Sequence, residues 1–271
     1  MRIRTWIAIA AGIAALYVLT LVIGLGSRRW LHLFRSTSPS VWQAWQLPSV
    51  QDIPSGARGA SIRYGMRLME DTPALAPAYV GGKLTCNQCH VAGGIAPYAA
   101  PLVGTSQTFP KFSQRAGHTI TLQDRIEECF VRSENGRPLP YDSREMQALV
   151  DYIGWLSQPE PRHLPFVGRG LVVLPKLTPD PARGAQIYAT QCAGCHGSNG
   201  AGAHPLFPPL WGPDSFNDGA GMNRIAKMAA FVQANMPQNR KGTLTAQEAY
   251  DVAAYIHAQP RPAFNPAYSQ Y

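Results

Sequence analysis

Two pentapeptides of one pattern, Cys86-Asn87-Gln88-Cys89-His90 and Cys192-Ala193-Gly194-Cys195-His196, stand 106 residues apart in this chain. Each carries the same landmarks in the same order. Gly65-x-x-Leu68-Met69 precedes the first and Gly184-x-x-Ile187-Tyr188 the second; Pro101-Leu102 and Pro209-Leu210 follow, and Tyr152-Ile153 and Tyr255-Ile256 close each copy. A sequence that repeats itself this way specifies one structural unit built twice. The closing stretch reads as a helix: Met146, Leu149, Val150, Ile153 and Leu156 recur at the three-and-four spacing of a buried stripe, with Asp142 or Ser143 as its cap. Gly65 and Gly184 fall in the opening helices, where a missing side chain permits two helices to approach closely. Between the copies, Pro159, Pro161, Pro165, Pro175, Pro179 and Pro181 stop helices and predict a semi-rigid linker. No strand-like alternation of convincing length occurs, so the expected fold class is all-α with long loops. The expected organisation is a first domain over 57–160, a linker over 161–181, a second domain over 182–262 and a tail over 263–271. Gly65 and Cys86 are 21 positions apart but Gly184 and Cys192 only 8, so the first copy should carry an extra loop of 13 residues.

Two cysteines three apart on one helical turn can each form a thioether with a haem vinyl group, and the histidine after the second then faces the iron. Cys86, Cys89 and His90, and again Cys192, Cys195 and His196, predict two covalently bound haem c groups in class I-like cytochrome c domains. A zinc or redox Cys-x-x-Cys is the alternative, but the two pairs lie far beyond the usual zinc spacing and lack the context of a thioredoxin. Pro101 and Pro209, 12 and 14 residues past the second cysteines, are candidates to offer a backbone carbonyl to the histidine's other ring nitrogen, or are plain turn prolines.

Ahead of both copies, residues 5–26 hold no charge, and as a helix they would be about 33 Å long against a hydrocarbon core of about 30 Å. Residues 1–26 are therefore expected to be an inner-membrane anchor followed by a juxtamembrane segment over 27–56. A cleaved signal peptide is the rival, with Gly24-Leu25-Gly26 as its small-x-small site. Arginines flank both ends (Arg2, Arg4, Arg28, Arg29), so charge leaves orientation open. Haem c attachment takes place outside the cytoplasmic membrane in bacteria, which puts the expected body on the periplasmic side.

Whether each iron has a sixth ligand separates a carrier from a catalyst. In the second copy Met236 precedes Pro237, which disfavours helix there and frees the thioether to face a metal. Met222, after Gly219-Ala220-Gly221, is its rival; Met228 shares a stripe with Ile225, Ala229 and Val232 and reads as core, and His204 as a surface residue. In the first copy Met146 lies inside the closing helix and reads as packing. That leaves Cys129, the one cysteine outside the two pentapeptides, in an oxidising compartment without an intramolecular partner. It is either an inert buried thiol or a working one. Arg115, Arg125 and Arg132 lie within fourteen positions and would stabilise a thiolate, while Glu127 and Glu128 oppose this unless they turn away or pair with the arginines. With 24 Lys and Arg against 16 Asp and Glu, net charge +8, the chain favours an anionic partner.

These residues resemble the dihaem cytochrome c thiosulfate dehydrogenases that form tetrathionate. The matching stretches are Cys86-Asn87-Gln88-Cys89-His90 with Tyr98-Ala99-Ala100-Pro101, Asp124-Arg125-Ile126-Glu127-Glu128-Cys129, Asn135-Gly136-Arg137-Pro138-Leu139-Pro140, and the run of residues 207–221, Phe-Pro-Pro-Leu-Trp-Gly-Pro-Asp-Ser-Phe-Asn-Asp-Gly-Ala-Gly. The likeness covers nearly everything from about residue 57 to 262. The resemblance implies that Cys129 ligates the first haem opposite His90, that Arg115 and Arg125 lie near substrate, and that methionine or lysine is distal to His196. The lysine of some relatives is Met222 here, which keeps Met222 beside Met236. Thiosulfate and tetrathionate are the implied substrate and product. An external cytochrome c or high-potential iron-sulfur protein is the implied acceptor, and no nucleic acid is implied. Two other readings compete: a membrane-anchored dihaem carrier without its own substrate, with Met146 as ligand, and a cytochrome of the sulfur-oxidising multienzyme system that needs a partner subunit.

Overall fold

The structure, a computed structural model, describes residues 47–158 and 166–271. The expected anchor over 1–26, most of the segment over 27–56 and the start of the linker lie outside the described residues. Among the described residues no helix is long and apolar enough to cross a membrane.

The first copy opens with α1 (Gly56–Glu70) and the short α2 (Thr72–Leu75), continues through α3 (Cys86–Cys89) and the one-turn α4 (Val91–Gly94), and passes by a hairpin to α5 (Leu122–Glu128) and α6 (Arg144–Ser157). The second copy runs through α7 (Pro181–Ile187), α8 (Ala193–His196), α9 (Ile225–Asn235) and α10 (Ala246–His257). Helix α1 packs across α6, and α10 takes α7 on one side and α9 on the other. Caps fix where these helices begin. The Ser143 hydroxyl accepts from the Met146 amide at 3.1 Å to start α6, and Thr245 and Glu248 form a reciprocal capping box on α10. Both crossings rest on glycine: a Cβ on Gly65 would sit 2.1 Å from the Ala148 carbonyl oxygen, and one on Gly184 2.0 Å from that of Asp251.

Each copy has its own core. Ile62, Leu68, Phe130, Leu139, Leu149 and Leu156 fill the first, and Met146, 0% exposed, is packed among them. Tyr188, Trp211, Met228, Ala229, Val252 and Ile256 fill the second. The additional stretch between Gly65 and Cys86 is more than a surface loop. It contains α2 and then crosses over, so that Leu84, 5% exposed, belongs to the second core. The Asn235 amide donates to the Tyr98 carbonyl at 3.1 Å and that of Asn217 to the Val131 carbonyl at 2.8 Å, and the described residues form one compact unit.

The all-α expectation needs one correction. Strands β1 (Lys111–Ser113) and β2 (His118–Ile120) pair antiparallel. Three-residue strands, with all but Ser113 and Ile120 exposed, leave no alternation to read. Their turn is closed by the Gly117 amide on the Ser113 carbonyl at 2.8 Å, with Gly117 in the left-handed region. Arg115 sits at its tip.

Candidate active site

The two Cys-x-x-Cys-His motifs are built alike. Thr85 and Gln88 form a capping box that starts α3 and sets Cys86 and Cys89 at the ends of a single turn. His90 follows, and its Nδ1 lies 2.6 Å from the Ala100 carbonyl oxygen. A carbonyl can only accept, so Nδ1 carries the proton and Nε2 keeps a free lone pair, the ligating arrangement. His196 repeats this with the Pro208 carbonyl at 2.9 Å. The carbonyls therefore come one residue before the expected Pro101 and Pro209. Each belongs to the amide bond whose nitrogen is the proline's, where no N–H is present to be satisfied. The copies differ in how they brace the chain beyond the histidine. Tyr152 of α6 donates to the Gly93 carbonyl at 2.8 Å in the first, whereas Tyr188, directly after α7, donates to that of Gly197 at 2.7 Å in the second.

These donor sets fit haem c. Burial raises the Cys86 thiol and pushes that of Cys89 up to about 12, so both sulfurs stay neutral. Burial also pushes His90 down to about 4 and lowers His196, keeping each imidazole in the neutral ligand form. Buried atoms without partners, Gln88 Nε2 and Glu134 Oε2, accompany the first motif. In the second copy Met222 and Met236 are both half-buried against the core, and Met236 is extended where it ends α9.

Cys129 begins a π-turn, Cys129–Ser133, that continues α5. Its sulfur accepts a hydrogen bond from Arg125 Nη1 at 3.2 Å, and it acts electrostatically on Cys86 and Cys89. The solitary cysteine thus stands beside the first attachment motif. Its interaction with Cys129 is the main reason that the Arg125 guanidinium is raised above its ordinary value. The two neighbouring acids are disposed of separately. Glu128 pairs with Arg125 at 3.2 Å, whereas Glu127 turns away and accepts from the Leu139 amide at 2.7 Å.

Arg115 from the hairpin and Arg125 from α5 meet in a cavity of about 450 Å³. Three further cations line it: Arg132, Arg224 and Lys227, with Glu128 the one carboxylate in its wall. Arg132 is 8% exposed, stacked 4.0 Å above the Phe264 ring centroid and donating to the Tyr271 carbonyl at 2.6 Å, so the tail over 263–271 serves to hold a cavity residue. Burial, and then the neighbouring cations, depress both Arg115 and Lys227. Arg224 and Lys227 belong to the second copy, almost a hundred residues from Cys129. Charges near Cys129 in the chain do not point to them. Their one signal is a place shortly after the Gly219-Ala220-Gly221 stretch.

A mostly helical body with two c-type motifs, one of them beside a cationic cavity, is that of a cytochrome c built for redox chemistry on an anion. Comparison with known proteins narrows this class. Residues 80–161 match the SoxA/TsdA cytochrome c domain, and 179–256 the model described as cytochrome c oxidase, cbb3-type, subunit III. A thiosulfate dehydrogenase of Allochromatium vinosum is 42% identical over 231 residues, 82% of this chain and 86% of the relative; one of Psychrobacter arcticus is 39% identical over 223 residues, 80% and 68%. The solved thiosulfate dehydrogenase TsdBA of Marichromatium purpuratum superposes with a TM-score of 0.74 at 37% identity, covering 80% of this chain and 49% of that one. This chain belongs to the thiosulfate dehydrogenase family of c-type cytochromes, and it is an oxidoreductase.

Proposed function

We propose that the protein joins two thiosulfate dianions sulfur to sulfur, giving one tetrathionate dianion and releasing two electrons to an external acceptor such as a cytochrome c or high-potential iron-sulfur protein. The observation that carries this reading is the Arg125 N–H on the Cys129 sulfur beside a cavity lined by five cations. Bringing two dianions into contact costs Coulomb repulsion in a partly desolvated site, and fixed guanidinium groups offset it without reorganising. Arg115 and Arg125 present planar donor forks to sulfonate oxygens. Cys129, polarised by Arg125, would either help His90 hold the first haem or bond to the sulfane sulfur of one whole thiosulfate, with two electrons passing to the acceptor, until the second thiosulfate displaces the Cys129 thiolate and tetrathionate leaves. A carrier without a substrate has no use for this cavity.

The reading includes two haem c groups, held through Cys86, Cys89 and His90 and through Cys192, Cys195 and His196, which when bound supply one-electron acceptors. Met236, with Met222 as the alternative, would join His196 in holding the second haem. It includes cytochrome domains over 57–160 and 182–262, and a periplasmic location with residues 5–26 as anchor.

Arg125→Ala is expected to raise the KM for thiosulfate on the order of tenfold or more, while dithionite still reduces the protein fully. Equal loss of both would indicate a damaged fold. For the second copy, Met236→Leu should lower one midpoint potential by on the order of 0.1 V, because a thioether ligand favours the higher value. If Met222→Leu has that effect and Met236→Leu does not, Met222 is the ligand.

A further inference from the structure

The cavity has two cationic walls that come from different copies of the repeat. Arg115 and Arg125 form the wall beside Cys129. Arg224, the extended residue that precedes α9, and Lys227 in its first turn form the other. Both side chains of this second wall are exposed and make no hydrogen bond or ion pair to any described residue. Two buried groups in the lining also lack partners: Arg132 Nε, and Oε1 of Glu128, whose residue is 7% exposed. The space, about 450 Å³, equals the liquid volume of about fifteen waters, more than one small sulfur oxyanion fills.

We propose that Arg224 and Lys227 form a second sulfonate subsite, so that one anion lies on the Arg115–Arg125 wall with its sulfur toward Cys129 while the other is held by the second copy. This rests on the thiosulfate reading and assigns its second substrate a place. A product with a sulfonate at each end would be gripped at both ends by cations of the same lining. The sulfur–sulfur bond forms between anions held by different copies, with both electrons leaving to the acceptor as before. Arg224 and Lys227 are positioning residues in this scheme, because neither touches the sulfur atoms that join.

The test is calorimetric binding of two redox-inert anions to the haem-loaded protein: methanesulfonate, which fills one subsite, and ethanedisulfonate, which can bridge two. The wild type should bind the disulfonate at least about tenfold more tightly. In Arg224→Gln/Lys227→Gln this preference should fall to about twofold, the statistical advantage of two identical ends, with methanesulfonate binding retained and the haem spectrum unchanged. Arg224→Lys should preserve most of the preference. An undiminished preference in the double variant overturns the second subsite. Loss of methanesulfonate binding in that variant overturns it as well, since both walls would then be gripping one anion. Thiosulfate turnover, assayed separately with ferricyanide, decides the parent reading: a wild type that turns over while the preference is undiminished in the double variant defeats the subsite alone, whereas a wild type that does not oxidise thiosulfate defeats both.

Discussion

Cys129→Gly should abolish thiosulfate oxidation, with turnover lower by on the order of a hundredfold or more, while both haems stay covalently attached. The separation is built into the architecture. Cys129 lies outside both attachment motifs, on the π-turn after α5, and its sulfur is half-buried against Arg125. Removing it deletes the acceptor of the Arg125 N–H but leaves Cys86, Cys89 and His90 on α3, with the Ala100 carbonyl still fixing the imidazole. The Arg125–Glu128 pair also survives, so the guanidinium keeps one partner. Haem staining of the denatured protein checks attachment, and a ferricyanide-coupled assay checks activity. Near-normal turnover in the variant would remove sulfur chemistry from this site.

Gly65→Val should be the most damaging single change to the fold. Even a methyl group would meet the Ala148 carbonyl oxygen at 2.1 Å, its carbon at 2.7 Å and Tyr152 Cβ at 2.8 Å, two of them backbone atoms that cannot rotate away. Helices α1 and α6 would have to separate along their contact, losing the packing of Leu68 and Leu149. The expected loss is about 3 kcal/mol or more. The separation also draws Tyr152 from the Gly93 carbonyl beside the first attachment motif, so haem incorporation in that copy should fall with stability. Gly154→Ala in the same α6 is the control. Nothing lies within 4 Å of a Cβ at that position, and the replacement should be neutral or stabilising by up to about 1 kcal/mol, because alanine is the better helix former. Thermal unfolding of both variants measures the contrast; a Gly65→Val protein that melts with the wild type would show that the helices do not cross so closely.

What the sequence disclosed and what it hid follow a physical line. The paired Cys-x-x-Cys-His turns, the glycine crossings, the Ser143 cap and the burial of Met146 and Met228 are local or periodic, and such features leave their mark within a few turns of chain. Cys129 was legible for a different reason, as a thiol with no partner among its own kind. The hairpin escaped because its strands are too short to alternate, and with it went the reason Arg115 reaches the cavity: it rides the turn. The carbonyls that orient His90 and His196 were misplaced by one residue, since composition identifies a proline turn but not which peptide plane faces inward. Arg224, Lys227 and the support of Arg132 by Phe264 and Tyr271 depend on one copy lying against the other, a relation that no periodicity within either copy records.

Leu84 has a lasting effect on how this duplicated molecule can change. A tandem copy ordinarily begins as a portable module, free to be exchanged or lost. Here one copy plugs a hydrophobic side chain into its sibling's interior, so recombination within the linker would leave a hole in the downstream half and strand a greasy residue on the upstream one. Chimaeras among relatives should therefore work best when both halves are taken from one parent.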